Sequence, residues 1–314
     1  MLSASLWSRC GCVLFLCALG CDSNAPARSG RFAGADSAAV AQTYIREMIF
    51  VGQRQGLPLV APLAFRTIDT GRTRGREVRG WLAHGPRWES FLDERWSGAP
   101  TGSAWTIVPH GDLEVAAGGP GEIEALWFER SGRSLRLEID GVLGEWSRGP
   151  TARIHLFAAT ARVGGEPTRG AVVELLRLRR VREDDPGPTS QLLLTSGDSL
   201  TLLLVSGPGR DAAEPQSLAW LRNGDGTREW SDLRLEARGG KALQEARREI
   251  PRSWILSVPD AGLRGHVWAL AYAAELGPER AGRRGVEVRY TVTGWIEIGG
   301  RRTRVVGLTR YSIE

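Results

Sequence analysis

The sequence predicts a mainly β protein, in which two consecutive antiparallel barrels or sandwiches follow one N-terminal amphipathic helix. From Phe65 onward, short runs of β-forming residues are separated by Gly, Pro, Asn and Asp about every ten residues, which is typical of antiparallel β domains. The tetrapeptide N-G-D-G at 223–226 favours a tight hairpin, because these residues tolerate positive φ angles. A Gly-Gly pair in each half, at 164–165 and at 299–300, suggests that the two halves repeat one fold.

The order of segments along the chain follows from changes in composition. Charged residues and two prolines interrupt the strand pattern at 182–190, so the boundary between the two β domains is predicted there. The predicted helix rests on residues that recur at helical spacing after a capping residue, namely Val40, Tyr44, Met48 and Val51. The predicted organisation is a signal peptide (1–20), a flexible stalk (21–35), an amphipathic helix (36–56), a first β domain (57–182) and a second β domain (191–314).

The first residues predict export and attachment to a lipid. The run C-G-C-V-L-F-L-C-A-L-G has the length of a signal-peptide core and is too short for a transmembrane helix, which needs about 20 apolar residues. It leads into A-L-G-C, which resembles the lipobox of bacterial lipoproteins, and Cys21 is the residue that would carry the lipid. We expect a membrane-anchored protein of the cell envelope, facing the periplasm or the exterior, with Asp22 favouring the inner membrane.

Composition limits the possible partners and cofactors. The net charge of +5 over 314 residues is a mild excess and Lys241 is the only lysine, so the arginine clusters are expected to be solvated strand faces rather than nucleic-acid contacts. The sequence contains no recognisable metal, phosphate-loop or nucleophile motif, and neither a metal nor a cofactor is expected. A structural or surface role is expected for each of the four histidines, His84, His110, His155 and His266.

Three segments of the second half carry a family resemblance. They are S-L-A-W-L-R-N-G-D-G, P-R-S-W-I-L-S-V-P-D-A-G-L and the closing Y-T-V-T-G-W-I-E-I-G-G-R-R-T-R-V-V-G-L-T-R-Y-S-I-E. Together they resemble the AttH-type family, which includes the carotenoid 1,2-hydratases (hydroxyneurosporene synthases), over about residues 200–314. The resemblance implies two consecutive lipocalin-like barrels. Thr293 stands where the family has an acidic residue, so the resemblance implies little about chemistry.

Tryptophan is abundant, with 12 residues against four tyrosines. Large rings commonly fill β-barrel cores, and they can also line a cavity for one small ligand. Strand alternation places His266 and Trp268 on the same face of one strand, and it places Trp295 and Glu297 on the same face of another. The ligand hypothesis needs both of these faces to point into the barrel. The predicted ligand-binding residues are Trp220, Trp254, His266, Trp268, Trp295 and Glu297.

Three functions remain open from the sequence. The favoured one is a membrane-anchored protein that binds an apolar or amphipathic small molecule, such as a lipid or an isoprenoid, without catalysis. A hydratase acting on an isoprenoid double bond would need a buried acid, for which Glu297 or Asp232 could serve. A non-catalytic structural envelope lipoprotein is the third. An outward-facing Glu297 would argue against the hydratase, and a completely filled barrel would favour the structural role.

Overall fold

The computed structural model describes residues 41–117, 123–130, 132–147, 152–180, 190–197, 199–207, 216–280 and 283–313. Cys21, the predicted signal peptide and the predicted stalk lie outside this part of the chain. The first half forms β1 (Gln42–Arg54), β2 (Leu57–Asp69), β3 (Arg74–His84), β4 (Arg87–Gly98), β5 (Leu113–Ala117), β6 (Ile123–Arg130), β7 (Arg133–Ser147), β8 (Ala152–Val163) and β9 (Glu166–Arg180).

The second half has the same number of strands. They are β10 (Ser190–Thr195), β11 (Leu200–Gly207), β12 (Gln216–Asn223), β13 (Gly226–Trp230), β14 (Arg234–Leu243), β15 (Arg248–Val258), β16 (Leu263–Arg280), β17 (Arg283–Ile298) and β18 (Arg301–Ile313). Short 3-10 turns at Gln244–Ala246 and Pro259–Ala261 flank β15. Neither these turns nor any other helix in the described residues has the length and apolar character needed to cross a membrane.

The two halves form separate antiparallel sheets with one strand order. The first sheet runs β4-β3-β2-β1-β9-β8-β7-β6-β5, and the second runs β13-β12-β11-β10-β18-β17-β16-β15-β14. In each sheet the first strand of the half pairs with the last, so the remaining strands extend to either side of that pair. The predicted mainly β fold of two consecutive antiparallel domains is confirmed.

Each sheet curls around its own apolar core. In the first half, the edge strands β4 and β5 place Leu92 and Leu113 in the same cluster as Met48 and Phe50 from the central strand β1. A flat sheet could not bring side chains from its centre and both edges together. We call these two curled sheets the first barrel and the second barrel.

The helix predicted over 36–56 is wrong where the structure describes it, because Gln42–Arg54 forms strand β1. The first β domain therefore starts before residue 57. β1 is buried on both faces: Met48 and Phe50 enter the first barrel's core, whereas Ile49 and Val51 pack on its outside. A strand covered on both sides carries a nearly continuous apolar run, and residues within such a run can imitate a helical stripe.

The two Gly-Gly pairs form equivalent turns in the two sheets. Gly164 and Gly165 join β8 to β9, and Gly299 and Gly300 join β17 to β18. All four have positive φ angles, between 56° and 88°, as a type I′ hairpin turn requires at both of its central positions. The similarity of the two sequence segments thus corresponds to a repeated structural unit.

The barrels pack against each other through a mixed apolar and charged interface. Ile49 and Val173 of the first barrel share a buried cluster with Leu193, Leu203 and Leu308 of the second. Next to this cluster, Glu47 of β1 and Arg310 of β18 are buried in the same interface. The interface is therefore continuous with the interior of one compact unit.

Glu47 and Arg310 form the central ion pair of that interface. Arg310 Nη1 donates to Glu47 Oε2 at 2.6 Å, and Arg310 also pairs with Glu287. Burial by itself raises the pKa of Glu47, but the charges of Arg310 and Arg177 outweigh it and lower that pKa to about 2. Glu47 therefore stays ionised in the interface at any physiological pH.

Candidate functional site

A cavity of about 790 Å³ lies inside the first barrel. Much of its wall is apolar and comes from strands β1 and β6 to β9: Met48, Ile123, Ile139, Phe157, Leu176 and Leu178. Strand alternation explains this wall, since Glu174 and Leu176 of β9 face the cavity while Val173 and Leu175 pack outside against the second barrel. The lining also contains charged groups, of which Arg46, His155 and Glu174 lie together, whereas Glu124, Asp140 and Arg153 are exposed to solvent.

The charged stretch is built from three neighbouring strands. Glu174 on β9 pairs in register with Met48 of β1 on one side and with His155 of β8 on the other. Arg46, two residues before Met48, points to the same face and reaches Glu174. Residues that are widely separated in the sequence thus form one cluster, which we call the His–Glu–Arg cluster (His155, Glu174 and Arg46).

Glu174 is the centre of this cluster and is only 3% exposed. Arg46 Nε donates to Glu174 Oε1 at 2.6 Å, and His155 Nδ1 lies 2.8 Å from Oε2. Because an ionised carboxylate only accepts hydrogen bonds, this contact places the proton of a neutral imidazole on Nδ1. The other ring nitrogen, Nε2, is buried and makes no hydrogen bond to the described residues, although the exposed Glu145 carboxylate lies 3.3 Å away.

The cluster changes the proton affinity of two of its members. The hydrogen bond to Glu174 raises the pKa of His155 above its usual value, against the opposing effect of burial. Burial pushes the pKa of Glu174 upward, but the His155 hydrogen bond and the charge of Arg46 outweigh it, and the net shift is downward. A buried carboxylate that raises the pKa of a neighbouring imidazole is an arrangement suited to proton exchange.

A long connection closes the cavity on the side of Arg46. Residues 99–112 link the two edge strands, β4 and β5, and place Trp105 beside the cluster. The carbonyl oxygen of Trp105 accepts a hydrogen bond from Arg46 Nη1 at 3.2 Å, and its indole packs edge-on against Tyr44 at 5.0 Å. Arg74 Nη1 donates to the carbonyl oxygens of Thr101 and Gly102 at 2.9 and 2.8 Å, which fixes the start of the connection.

Two of the tryptophans predicted to bind a ligand are buried, in different places. Trp220 is 3% exposed and lies in the interface cluster between the barrels, edge-on to Trp146 at 6.1 Å. Trp254 fills the second barrel's core and contacts Tyr290 at a ring distance of 4.8 Å. The structure therefore does not bring these two indoles together.

The other four predicted residues lie on the outer face of the second barrel, and this is not the inward orientation that the ligand hypothesis needs. Trp268 is 41% exposed, with His266 beside it at a ring distance of 5.8 Å. Arg302 covers the ring of Trp295 at 3.9 Å, and Glu297 pairs with Arg264 at 2.6 Å. The inward positions of these strands belong to Val267, Gly294 and Ile296, because those three fit among the core side chains.

The acids proposed for a hydratase are also on the surface. Glu297 is half-buried on the outer face, where it pairs with the exposed Arg264, and Asp232 is exposed in the connection between β13 and β14. Neither is a buried acid of the kind that protonation of an alkene needs. Neither residue therefore meets the condition of burial that the hydratase alternative sets for its acid.

Sequence reasoning did not find the His–Glu–Arg cluster, and it assigned His155 a structural or surface role. Arg46 and Glu174 are 128 residues apart, so no local motif contains them. One signal was available: Glu174 sits inside the apolar run A-V-V-E-L-L, where a charge is costly unless it has partners. Such a residue in a buried strand predicts a charged partner from a neighbouring strand.

Comparison with known proteins identifies the fold. No family model matches the sequence, and no curated protein matches it. Among solved structures, kievitone hydratase from Nectria haematococca aligns with a TM-score of 0.52 and 12% identity, covering 87% of this chain and 89% of its own. An AttH-like protein from Nitrosomonas europaea aligns with a TM-score of 0.53 and 13% identity, covering 86% and 92%. Identity at this level establishes the fold alone.

Proposed function

We propose, from the two-barrel AttH-type lipocalin-like fold, that this protein binds a small amphipathic molecule inside its first barrel. The observation that carries the proposal is the cavity of about 790 Å³ with the His–Glu–Arg cluster on its wall. Ligand pockets usually have volumes of about 300 to 1,000 Å³, with apolar walls and a few polar groups that orient the ligand. The cavity of the first barrel has a volume in this range and a largely apolar wall, with six ionisable side chains in its lining.

Because the cavity wall has an apolar region and a charged region, we expect the ligand to have an apolar part and a polar part. Its apolar part would lie against residues such as Phe157, Leu176 and Leu178, gaining about 25 cal/mol for each Å² removed from water before the costs of association. Its polar part would lie at His155, whose Nε2 becomes accessible to a ligand when the exposed Glu145 carboxylate, 3.3 Å away, moves aside. This retains the amphipathic ligand expected from the sequence and moves it to the other barrel.

Binding can be tested with the apolar fluorescent probe N-phenyl-1-naphthylamine. Leu176→Trp should fill the cavity and weaken saturable probe binding about tenfold or more, because the added ring occupies the volume that the probe needs. Trp268→Ala is the matched control on the second barrel's outer face and should leave binding unchanged. Circular dichroism checks that both variants fold.

The opposite pattern would contradict the proposed site. If Trp268→Ala weakens probe binding and Leu176→Trp does not, the probe binds at the outer face of the second barrel. If neither substitution matters, the cavity is not where the probe binds. Competition between the probe and fatty acids, isoprenoids or phenolic compounds would then rank ligand classes for a confirmed site.

Attachment to a membrane through a lipid on Cys21 is a separate part of the proposal, and its support is the A-L-G-C sequence at 18–21. The protein would face the periplasm or the exterior, at the inner membrane if Asp22 acts as a retention signal. Cys21→Ser should move the protein out of the detergent phase or block its maturation. Unchanged partitioning would refute the lipid anchor and leave the cavity proposal untouched.

A further inference from the structure

We propose that the first barrel is a catalytic chamber in which His155 exchanges a proton with a bound carbon acid, meaning an amphipathic molecule with a C–H group next to a carbonyl or a similar electron acceptor. This inference rests on the proposed binding of a small molecule in the same cavity. It extends that proposal from binding to proton transfer.

The hydrogen-bond arrangement of His155 is the first support. Each oxygen of Glu174 has its own partner, Oε1 with Arg46 and Oε2 with His155 Nδ1. The imidazole is thereby fixed in one orientation and one tautomer, which leaves Nε2 as the nitrogen that can take or give a proton. The Glu145 carboxylate lies 3.3 Å from Nε2, and this exposed side chain has to move aside before a bound molecule can reach that nitrogen. Orientation of a catalytic imidazole by a buried carboxylate recurs among acid–base enzymes.

The second barrel provides an internal control on whether the fold itself needs these charges. Glu174 is in register with Met48 and His155, and in the second barrel Thr309 is in register with Leu192 and Tyr290. The positions of Glu174 and His155 are thus occupied by Thr309 and Tyr290. The fold is stable there without an ion pair.

The location of this cluster separates it from the other buried charges, because Glu47 and Arg310 join the two barrels whereas Glu174 and Arg46 line a cavity. Desolvation of charged groups costs several kcal/mol per ion, and well-packed apolar residues are often equally stable or more stable. Thr309 satisfies its hydroxyl simply by donating to the carbonyl oxygen of Gln191 at 3.1 Å. The charged alternative in the first barrel, placed on a cavity wall, is explained by chemistry in that cavity.

The proposed step is redox-neutral and needs no second reactant. Neutral His155 takes the C–H proton on Nε2, and the electron pair of that bond moves to the carbonyl oxygen as an enolate. When the molecule also carries a C=C bond at the β,γ position, the enolate extends over it as a dienolate, and the imidazolium returns the proton to the γ carbon while the carbonyl group re-forms. The C=C bond has then moved into conjugation with the carbonyl, and the atoms and electrons balance. Glu174 stabilises the imidazolium through Nδ1, and Arg46 holds Glu174 in place as a positioning residue.

The surroundings of His155 set the expected pH dependence. The groups that face it are Glu174 on β9, Arg46 beyond Glu174 on β1, and Glu145 on β7. Glu174 raises the pKa of His155, so the imidazole is protonated over a wider pH range than a free histidine. Proton removal by His155 should therefore increase as the pH rises through this elevated pKa.

A generic carbon acid can test the chamber before its natural substrate is known. In 5-nitrobenzisoxazole, a base removes the C–H proton, the electron pair forms the nitrile, and the N–O bond breaks to release a coloured phenolate. We expect the full-length protein to accelerate this reaction saturably. His155→Gln should lower the rate by about a hundredfold or more, the usual contribution of a general base, whereas His266→Gln on the outer face should not change it.

Glu174→Gln separates a positioning role from a structural one. Loss of the carboxylate should move the midpoint of the pH–rate profile to lower pH, because it removes the main cause of the raised His155 pKa. A merely structural effect would lower the rate at every pH without moving the midpoint. That result, or equal rates for wild type and His155→Gln, would overturn the proton-transfer proposal.

Probe binding distinguishes failure of catalysis from failure of the binding proposal. If N-phenyl-1-naphthylamine binds and Leu176→Trp blocks it, but wild type does not accelerate the elimination, binding stands and catalysis is refuted. If the probe does not bind in the cavity at all, both proposals fail. Retained probe binding by His155→Gln would show that the loss of rate is not a loss of folding.

Discussion

The two barrels share a strand order but have different interiors. At one equivalent position the first barrel has His155, which lines a cavity, whereas the second has Tyr290, which is 1% exposed and packs against Trp254 in the core. The repeated backbone therefore does not decide whether a barrel is open inside. The volume and polarity of the inward side chains decide it.

The connections between the edge strands also differ in length, and the longer one belongs to the barrel that has the cavity. The first barrel joins β4 to β5 through residues 99–112, which leave room at the end of the barrel and place Trp105 at the cavity. The second joins β13 to β14 through residues 231–233, and the 3-10 turn Gln244–Ala246 buries Ala246 in its core. The two barrels thus differ in the length of one loop and in a few inward side chains.

Removal of the largest core ring should have the largest effect on stability. Trp254→Ala empties a fully buried position of the second barrel and should lower the free energy of unfolding by about 3 to 5 kcal/mol. Urea denaturation followed by circular dichroism measures this change. A loss below about 1 kcal/mol would mean that the second barrel is not tightly packed.

Truncation of an aromatic ring to alanine in the first barrel should lower the free energy of unfolding by less. Phe157 is half-buried and faces the cavity, so Phe157→Ala enlarges a space that already exists and should cost about 1 to 2 kcal/mol. The comparison with Trp254→Ala uses one denaturant and one probe. Equal losses in the two variants would remove the contrast between an open and a filled interior.

Tyr290→Phe should have the smallest effect on stability, and it should stabilise the protein. The Tyr290 hydroxyl is buried without a hydrogen-bond partner among the described residues, and burial raises its pKa. Tyr290→Phe removes this unsatisfied group while keeping the ring against Trp254, and should increase stability by up to about 1 kcal/mol. Destabilisation by Tyr290→Phe would indicate that the hydroxyl has a partner, such as a bound water.

Local sequence signals predicted the fold well. The Asn223 to Gly226 turn joins β12 to β13 as expected, and both Gly-Gly pairs lie at equivalent hairpins, because turn chemistry depends on adjacent residues. The helix over 36–56 failed because burial on both faces of β1 is a tertiary property. Alternation correctly grouped Trp295 with Glu297, but it could not tell the inner face from the outer one.

The site could not be predicted in the same way. Its residues come from three strands, and their proximity depends on the pairing of β1 with β9, the first and last strands of the half. The tryptophan count directed attention to the second barrel, where aromatic rings fill the core instead of lining a cavity. A charged residue within an apolar strand, such as Glu174, was the more informative signal.

The interface between the barrels has a consequence for how the protein is made. The first barrel presents Ile49, Val173 and Glu47 on its outer face, and their partners, including Leu308 and Arg310, are near the end of the chain. At about 5 to 20 residues per second, the ribosome needs on the order of ten seconds to produce the second half. A first barrel that finished folding during that time would expose this apolar surface until strand β18 had been made.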